Sequence, residues 1–309
     1  MTTPTELPVY TITRRRIPEV VVPGKRLGRH FVYDSRSAAY PYRVNRARTA
    51  ATVLWQRAIP ILDQGDVGSC TGNAEDGAVG TNPLYQPARL AVPGWNFGET
   101  GALEIYSAAE TIDGDGPYPP NDNGSCGTSA CQAAKNFGLI SGYTHATTVA
   151  QMIDALQDGP VVIGINWYDS MDSPDSSGLI TISPGATVRG GHELELRGCD
   201  ATADQFHGDN SWGTSWGAKG SFLLGFDDMD RLLSEQGDCT VPVALSQPAP
   251  VPVPVPPSPP APGGYDVHDV TLDAATYEWW HEHHAGGART TAQALRAWHQ
   301  AKGLPTPPN

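Results

Sequence analysis

Apolar residues change their rhythm along this chain. In the first half they recur at helical spacing, which predicts helices over residues 70–79, 100–112, 128–137 and 147–156. After residue 160 they gather into short dense runs: VVIGINWY at 161–168, then 179–182, 192–198 and 221–224. Such runs predict strands. Helices early and strands late describe an α+β protein with a helical lobe packed against a β lobe. A third regime starts at Gln247, where nine prolines fall between Pro248 and Pro262, followed by Gly263 and Gly264. That composition favours polyproline II, so residues 247–264 read as a semi-rigid linker. Beyond it, residues 265–309 suggest two short helices, over 273–284 and 290–302. The second carries Ala292, Leu295 and Trp298 on one apolar face. The resulting plan is an arm at 1–50, a main domain at 51–246, the linker, and a small helical C-terminal module that buries little core of its own.

Composition narrows this plan. A chain of 309 residues with 39% hydrophobic residues, 34 Gly and 28 Pro suits one loop-rich globular domain with appendages. It contains no apolar run of about 18 residues, so no membrane span is expected. Its N-terminus lacks the basic-then-apolar layout of a signal peptide, which points to a cytoplasmic or virion-associated protein. Charge is uneven: ten Lys or Arg face three acidic residues in positions 1–50, although the whole chain carries −13. Arg14-Arg15-Arg16, Lys25-Arg26 and Arg29 form a basic arm. Folding back onto the acidic main domain ranks first for such an arm. Nucleic acid ranks a distant third, because no aromatic interleaving or nucleic-acid motif accompanies it.

Candidate chemistry sits in three short stretches. Gln64-Gly-Asp-Val-Gly-Ser-Cys70 offers an amide and a thiol, Gly190-Gly-His192 an imidazole, and Asn210-Ser-Trp-Gly-Thr-Ser-Trp216-Gly217 a second amide. A thiol nucleophile needs a base, the base needs an orienting partner, and the attacked carbonyl needs donors for its developing charge. All four roles are filled. A lone cysteine is more often a small buried hydrophobe, and a lone histidine a surface residue, so the combination carries the argument. The predicted helix at 70–79 begins at the thiol, where unpaired backbone N–H groups favour negative charge on sulfur.

These stretches resemble the active-site segments of papain-like cysteine peptidases, in the family's order, with Thr71 after the cysteine as in its bacterial and bacteriophage branch. The histidine and asparagine follow Cys70 by 122 and 140 residues. The resemblance spans roughly residues 59–226 and implies the two-lobed papain-like fold, a helical lobe plus a β-barrel-like lobe, with a cleft between them. It implies Cys70 as nucleophile, His192 as base and then acid, Asn210 as orienter and Gln64 as oxyanion donor. A polypeptide substrate would lie extended in the cleft, and neither cofactor nor metal is implied. Trp212 and Trp216 could shield the His192–Asn210 pair, with simple core packing the likelier role for Trp216. The family's inhibitory N-terminal segments make a short pro-segment the second reading of residues 1–50. Three positions depart from the pattern: Val67 replaces a disulfide-forming cysteine, Thr71 replaces a common aromatic, and Glu193 replaces a small residue after the histidine. The last two leave subsite shape and local charge open.

Four cysteines remain beside Cys70: Cys126, Cys131, Cys199 and Cys239. They permit three pairings, and free buried thiols are preferred without an export signal. Residues 290–304 resemble the last helix of peptidoglycan-binding modules, so the C-terminal module is a candidate for docking to a protein or to cell wall. The cluster His281-Glu282-His283-His284 reads as a solvated face rather than a metal site. The sequence thus predicts a cysteine endopeptidase. Two rivals are the same fold acting as an amidase or transferase on cell-wall peptide, and a non-catalytic structural or tethering protein of a virion.

Overall fold

A computed structural model describes residues 12–34, 37, 39–45 and 51–246, all within one unit spanning Met1–Val255. The expected linker and the two expected helices of residues 265–309 lie outside the described residues.

The helical side is built from α1 (Cys70–Val79), α2 (Tyr85–Ala91), α3 (Glu99–Asp113) and α4 (Gly127–Asn136). Every residue of α1 is buried, including Glu75 and Asp76. Charged residues inside a helix core need partners. Asp76 has them, accepting from Trp95 Nε1 at 2.9 Å and from the N–H of Gly98 at 2.8 Å. Val79, Ala88, Ile105, Ala109, Ala130, Leu139 and Ile140 form the apolar core of this side. The alanines among them on α3 and α4 let the helices pack closely.

The β side is one eight-stranded sheet. Its strands are β3 (Val53–Leu54), β4 (Gly142–Ala146), β5 (Val161–Tyr168), β6 (Leu179–Ile180), β7 (Val188–Asp200), β8 (Gln205–Asp209), β9 (Ser221–Gly225) and β10 (Asp238–Val243). The spatial order is β4-β10-β5-β7-β8-β9-β6, with β3 beside β7. All pairings are antiparallel except β6 with β9. The long strand β7 is buried along nearly its whole length, consistent with cover on both faces. Helix α5 (Val149–Ala155) opens on Thr148, whose hydroxyl accepts from the N–H of Gln151, and α6 (Phe226–Ser234) precedes β10. No helix among the described residues is long and apolar enough to cross a membrane.

A two-stranded ribbon stands apart from this sheet. Strands β1 (Ile12–Arg16) and β2 (His30–Asp34) pair antiparallel, and the thirteen residues between them form a closed loop. The ribbon is tied to the end of α3 through Arg14, which contacts Asp113 and lies 2.9 Å from Asp115.

Candidate active site

Cys70 is the first residue of α1, with Ser69 as its cap. The Ser69 hydroxyl donates to Asn73 Oδ1 at 2.8 Å, tying the nucleophile's neighbour to the next helical turn. The backbones of Glu193 and Thr71 lie against the Cys70 sulfur, and their polar groups ease the burial of its charged form. The first of these contacts puts the sulfur one residue away from His192, across the boundary between helices and sheet.

His192 lies on β7 opposite Ile165 of β5. Its Nε2 is 2.8 Å from Asn210 Oδ1. A side-chain amide oxygen only accepts, so Nε2 carries the hydrogen, and in the neutral ring Nδ1 presents its lone pair. That Nδ1 is buried and has no hydrogen-bond partner. Asn210 directly follows β8 and is held by two backbone bonds: its N–H donates to Gly220 O at 2.9 Å, and its Oδ1 accepts from the Ser211 N–H at 2.8 Å.

Aromatic rings enclose this pair. Trp212 stacks on the imidazole with centroids 4.9 Å apart and planes 24° from parallel, and Trp167 meets it edge-on at 5.0 Å. Trp216 sits 5.5 Å from Trp212 and 6.1 Å from Trp167, farther from the imidazole and within the sheet's apolar core. A hydrogen bond walled off from water in this way is strengthened by its low-dielectric surroundings.

Gln64 is fixed by the same segment. Its N–H donates to Ser211 O at 2.8 Å, and its Oε1 accepts from the Ser211 hydroxyl at 2.6 Å. Its Nε2 donates one hydrogen to Val67 O at 2.8 Å, which leaves the second amide hydrogen available. The structure therefore gathers all four candidate residues at one place. All five cysteines are buried as free thiols.

Cys70 and His192 are both wholly shielded from solvent. The loop between β1 and β2 covers them. Gly191 O, one residue before His192, accepts from the N–H groups of Gly28 at 3.2 Å and Arg29 at 3.0 Å. On the other wall, Ser125 donates to Gly28 O at 2.9 Å and accepts from the His30 N–H at 2.6 Å. Trp212 Nε1 donates to Arg26 O at 3.1 Å. Gly28 admits no side chain here, because a Cβ would collide with the carbonyl of Gly68, two residues before Cys70. Leu27 is buried beneath, part of the sheet's core.

Arg189 staples the loop down. Its guanidinium donates to Val20 O at 2.9 Å and Lys25 O at 2.8 Å, while Asp172 Oδ1 receives its Nε at 3.1 Å. The covering sets the electrostatics. Burial pushes the Cys70 thiol far up, with the charges of Glu193 and Glu19 adding to it. Burial also pushes His192 down to about 3; the bond to Asn210 opposes the shift and the charge of Arg189 reinforces it. A covered sulfur and ring are therefore both neutral, since the low-dielectric surroundings penalise the thiolate–imidazolium pair.

Several participants escaped the sequence reading. Trp167 was legible only as a strand residue, and its place follows from the β5–β7 register, which sets it against Gly190. Arg189 and Glu19 carry no motif at all. Arg29 was visible as part of a basic arm, but not its burial.

The model of the Papain family cysteine protease matches residues 96–240, a span that includes His192 and Asn210 and begins after Cys70. The chain is 26% identical over 238 residues to the probable cysteine protease RD21C of Arabidopsis thaliana, covering 66% of this chain and 48% of that one. A stretch of 102 residues is 33% identical to a mycothiol acetyltransferase of Frankia casuarinae, covering 32% of this chain and 29% of that protein. The chain thus spans less than half the length of either curated relative. Among solved structures it resembles xylellain, a cysteine protease from Xylella fastidiosa, with a TM-score of 0.54 at 19% identity, covering 73% of this chain and 99% of that one. The fold is papain-like.

Proposed function

We propose that the protein is a cysteine endopeptidase whose nucleophile is Cys70, held dormant by the loop of residues 17–29. The observation that carries this reading is the His192–Asn210 bond at 2.8 Å, which leaves Nδ1 bare and buried beside Glu193, whose backbone lies against the Cys70 sulfur. With the loop displaced, water re-enters and the desolvation that keeps both groups neutral is relieved. Proton transfer from sulfur to Nδ1 then yields a thiolate at a helix start, facing an imidazolium. The thiolate attacks the carbonyl carbon of an extended polypeptide. The developing oxyanion is received by the Cys70 N–H and the free hydrogen of the Gln64 amide. His192 passes its proton to the leaving amine, and the acyl-thioester is then hydrolysed by water that His192 deprotonates. Asn210 keeps the ring in the tautomer this sequence needs.

The loop fits the role of a built-in pro-segment, because its backbone occupies hydrogen-bonding groups on both walls of the cleft. Thr71 after the nucleophile supports placing the chain in the bacterial and bacteriophage branch of the family.

The test is Cys70→Ala against the unmutated chain, reading hydrolysis of casein and labelling by an epoxide thiol inhibitor after the loop is displaced. Both signals are expected to vanish in the variant. Undiminished hydrolysis would remove Cys70 as nucleophile. Failure of the unmutated chain to label under any condition would favour a non-catalytic scaffold.

A further inference from the structure

Asp238, Gly164 and Glu193 are consecutive cross-strand neighbours on β10, β5 and β7. Directly paired residues on adjacent strands present their side chains to the same face, so the two carboxylates flank a position with no side chain. A Cβ on Gly164 would come within 2.8 Å of both Asp238 Oδ2 and Glu193 Oε2, so the space between them exists only because this residue is glycine. The Arg29 guanidinium fills it. Arg29 is 1% exposed, contacts Asp238 through Nη2, donates to Gln236 O at 2.7 Å, and has Nε 3.9 Å from Glu193 Oε2.

The seat retains unused capacity. Both carboxylate oxygens of Glu193 and Oδ1 of Asp238 are buried without a hydrogen-bond partner, and so are Nε and Nη1 of Arg29. Burial and the charge of Asp238 hold the Glu193 carboxyl well above its ordinary range, with Arg29 working the other way. Glu75 of α1 adds a further acidic neighbour. A buried carboxyl without a hydrogen-bond partner is costly, so Glu193, with the partly exposed Asp238 beside it, favours a cation in the seat.

Position ties this seat to the proposed reaction. The backbone of Arg29 is held as a peptide strand is held in a cleft, between Ser125 on one wall and Gly191, next to His192, on the other. The side chain entering the seat thus belongs to a residue lying across the nucleophile's groove. We infer that Glu193 and Asp238, spaced by Gly164, form the specificity pocket of the enzyme and take an arginine or lysine side chain of the substrate polypeptide, with Arg29 of the chain's own loop occupying it in the closed state. This rests on the peptidase reading. It explains why the position after the histidine carries a carboxylate, and why the loop that covers the nucleophile is basic.

The experiment uses the full chain carrying Arg29→Ala, with dipeptidyl aminomethylcoumarins bearing arginine, lysine, leucine or glutamate in turn at each position. Rates are normalised to Cys70 titrated by an epoxide inhibitor. At one position, arginine or lysine is expected to exceed leucine at least tenfold in kcat/KM, and adding Asp238→Asn is expected to cut that ratio at least fivefold. Turnover that proceeds with leucine equal to or better than arginine at both positions would overturn the pocket and leave the peptidase reading standing. Absence of both turnover and Cys70 labelling, persisting when Gly28→Val is added to lift the loop, would overturn the peptidase reading and the pocket with it. Should Arg29→Ala fail to fold, the chain carrying Gly28→Val, whose added side chain meets the Gly68 carbonyl and lifts the loop, gives the same answer through arginyl and leucyl epoxide probes. Labelling of Cys70 should be at least tenfold faster with the arginyl probe, and equal rates would sink the assignment.

Discussion

Asn210 Oδ1 lies 2.8 Å from His192 Nε2 and is pinned there by the Ser211 N–H at the same distance. The amide therefore cannot swing away to follow the ring, and the ring is the group that must conform. Asn210→Ala removes the acceptor while leaving Trp212 and Trp167 around the imidazole. General acid–base assistance contributes about 10²–10⁴-fold. Because the aromatic walls keep part of the orientation, kcat is expected to fall by only about tenfold to a hundredfold, with KM little changed. Steady-state kinetics normalised to titratable thiol checks this. A fall confined to KM would mean that Asn210 shapes substrate binding instead.

The loop of residues 17–29 gives a prediction about pH. In the closed chain the thiol is raised by burial, so its thiolate fraction stays small until the medium is strongly alkaline. Alkylation of Cys70 by iodoacetamide should be slow at pH 7 and climb throughout the alkaline range. Gly28→Val places side-chain atoms into the Gly68 carbonyl and should lift the loop. In that variant labelling at pH 7 is expected to rise at least tenfold, with the profile moved to lower pH. Mass-spectrometric quantification of the Cys70 adduct across pH compares the two. Superimposable profiles would mean that the loop does not control access.

The candidate residues stood out in the sequence through residue types at fixed order: Cys70, His192, Asn210 and Gln64 each sit in a glycine-rich stretch that marks an open backbone. Helix α1 and strand β5 were equally plain, because one has a sharp start and the other is a near-continuous apolar run. Less legible were short elements whose stability is tertiary. Strand β8 (QFHGD) shows little apolar alternation and strand β10 (DCTVPV) alternates but contains Pro242, which argues against a strand in the sequence; both are strands because β7 and β5 supply hydrogen bonds. Helix α6 begins with Phe226-Asp-Asp and was obscured by its acidic first turn, although acids there favour a helix start. Arg29 shows the deeper reason. Among ten basic residues in its segment, nothing local distinguishes the one whose partners lie 164 and 209 positions away.

Arg57 predicts a stability effect at the boundary between α1 and the sheet. Its guanidinium contacts Glu195 on β7 and lies 3.4 Å from Asp209 on β8, while Thr81, just beyond α1, donates to Glu195 at 2.6 Å. Arg197 completes the network at 3.0 Å from Asp209. Breaking a buried pair by removing one partner costs about 3–5 kcal/mol, because the other charge is left uncompensated. Arg57→Met should therefore destabilise the protein by about that amount in urea denaturation. Arg57→Met combined with Glu195→Gln should recover part of the loss. A double variant no more stable than Arg57→Met would show that the charge left on Glu195 is not the cause.

Glu75 predicts a pH-dependent effect of opposite sign. Burial raises its carboxyl to about 7, the charges of Asp76 and Glu195 add to this, and the Cys131 thiol, donating at 3.1 Å, opposes it. A carboxyl whose folded pKa exceeds its unfolded value leaves stability intact below the unfolded value of about 4.5, and stability is lost as pH rises through 7. At about 1.4 kcal/mol per pKa unit, the loss by pH 8 is at most about 3.5 kcal/mol. Glu75→Gln replaces the titrating group with a neutral one of the same shape, so its advantage should appear only at higher pH. The Tm of the variant is expected to exceed that of the unmutated chain at pH 8, with the gap narrowing steadily toward pH 4.5. A gap independent of pH would show that packing of the amide, and not ionisation of Glu75, sets the difference.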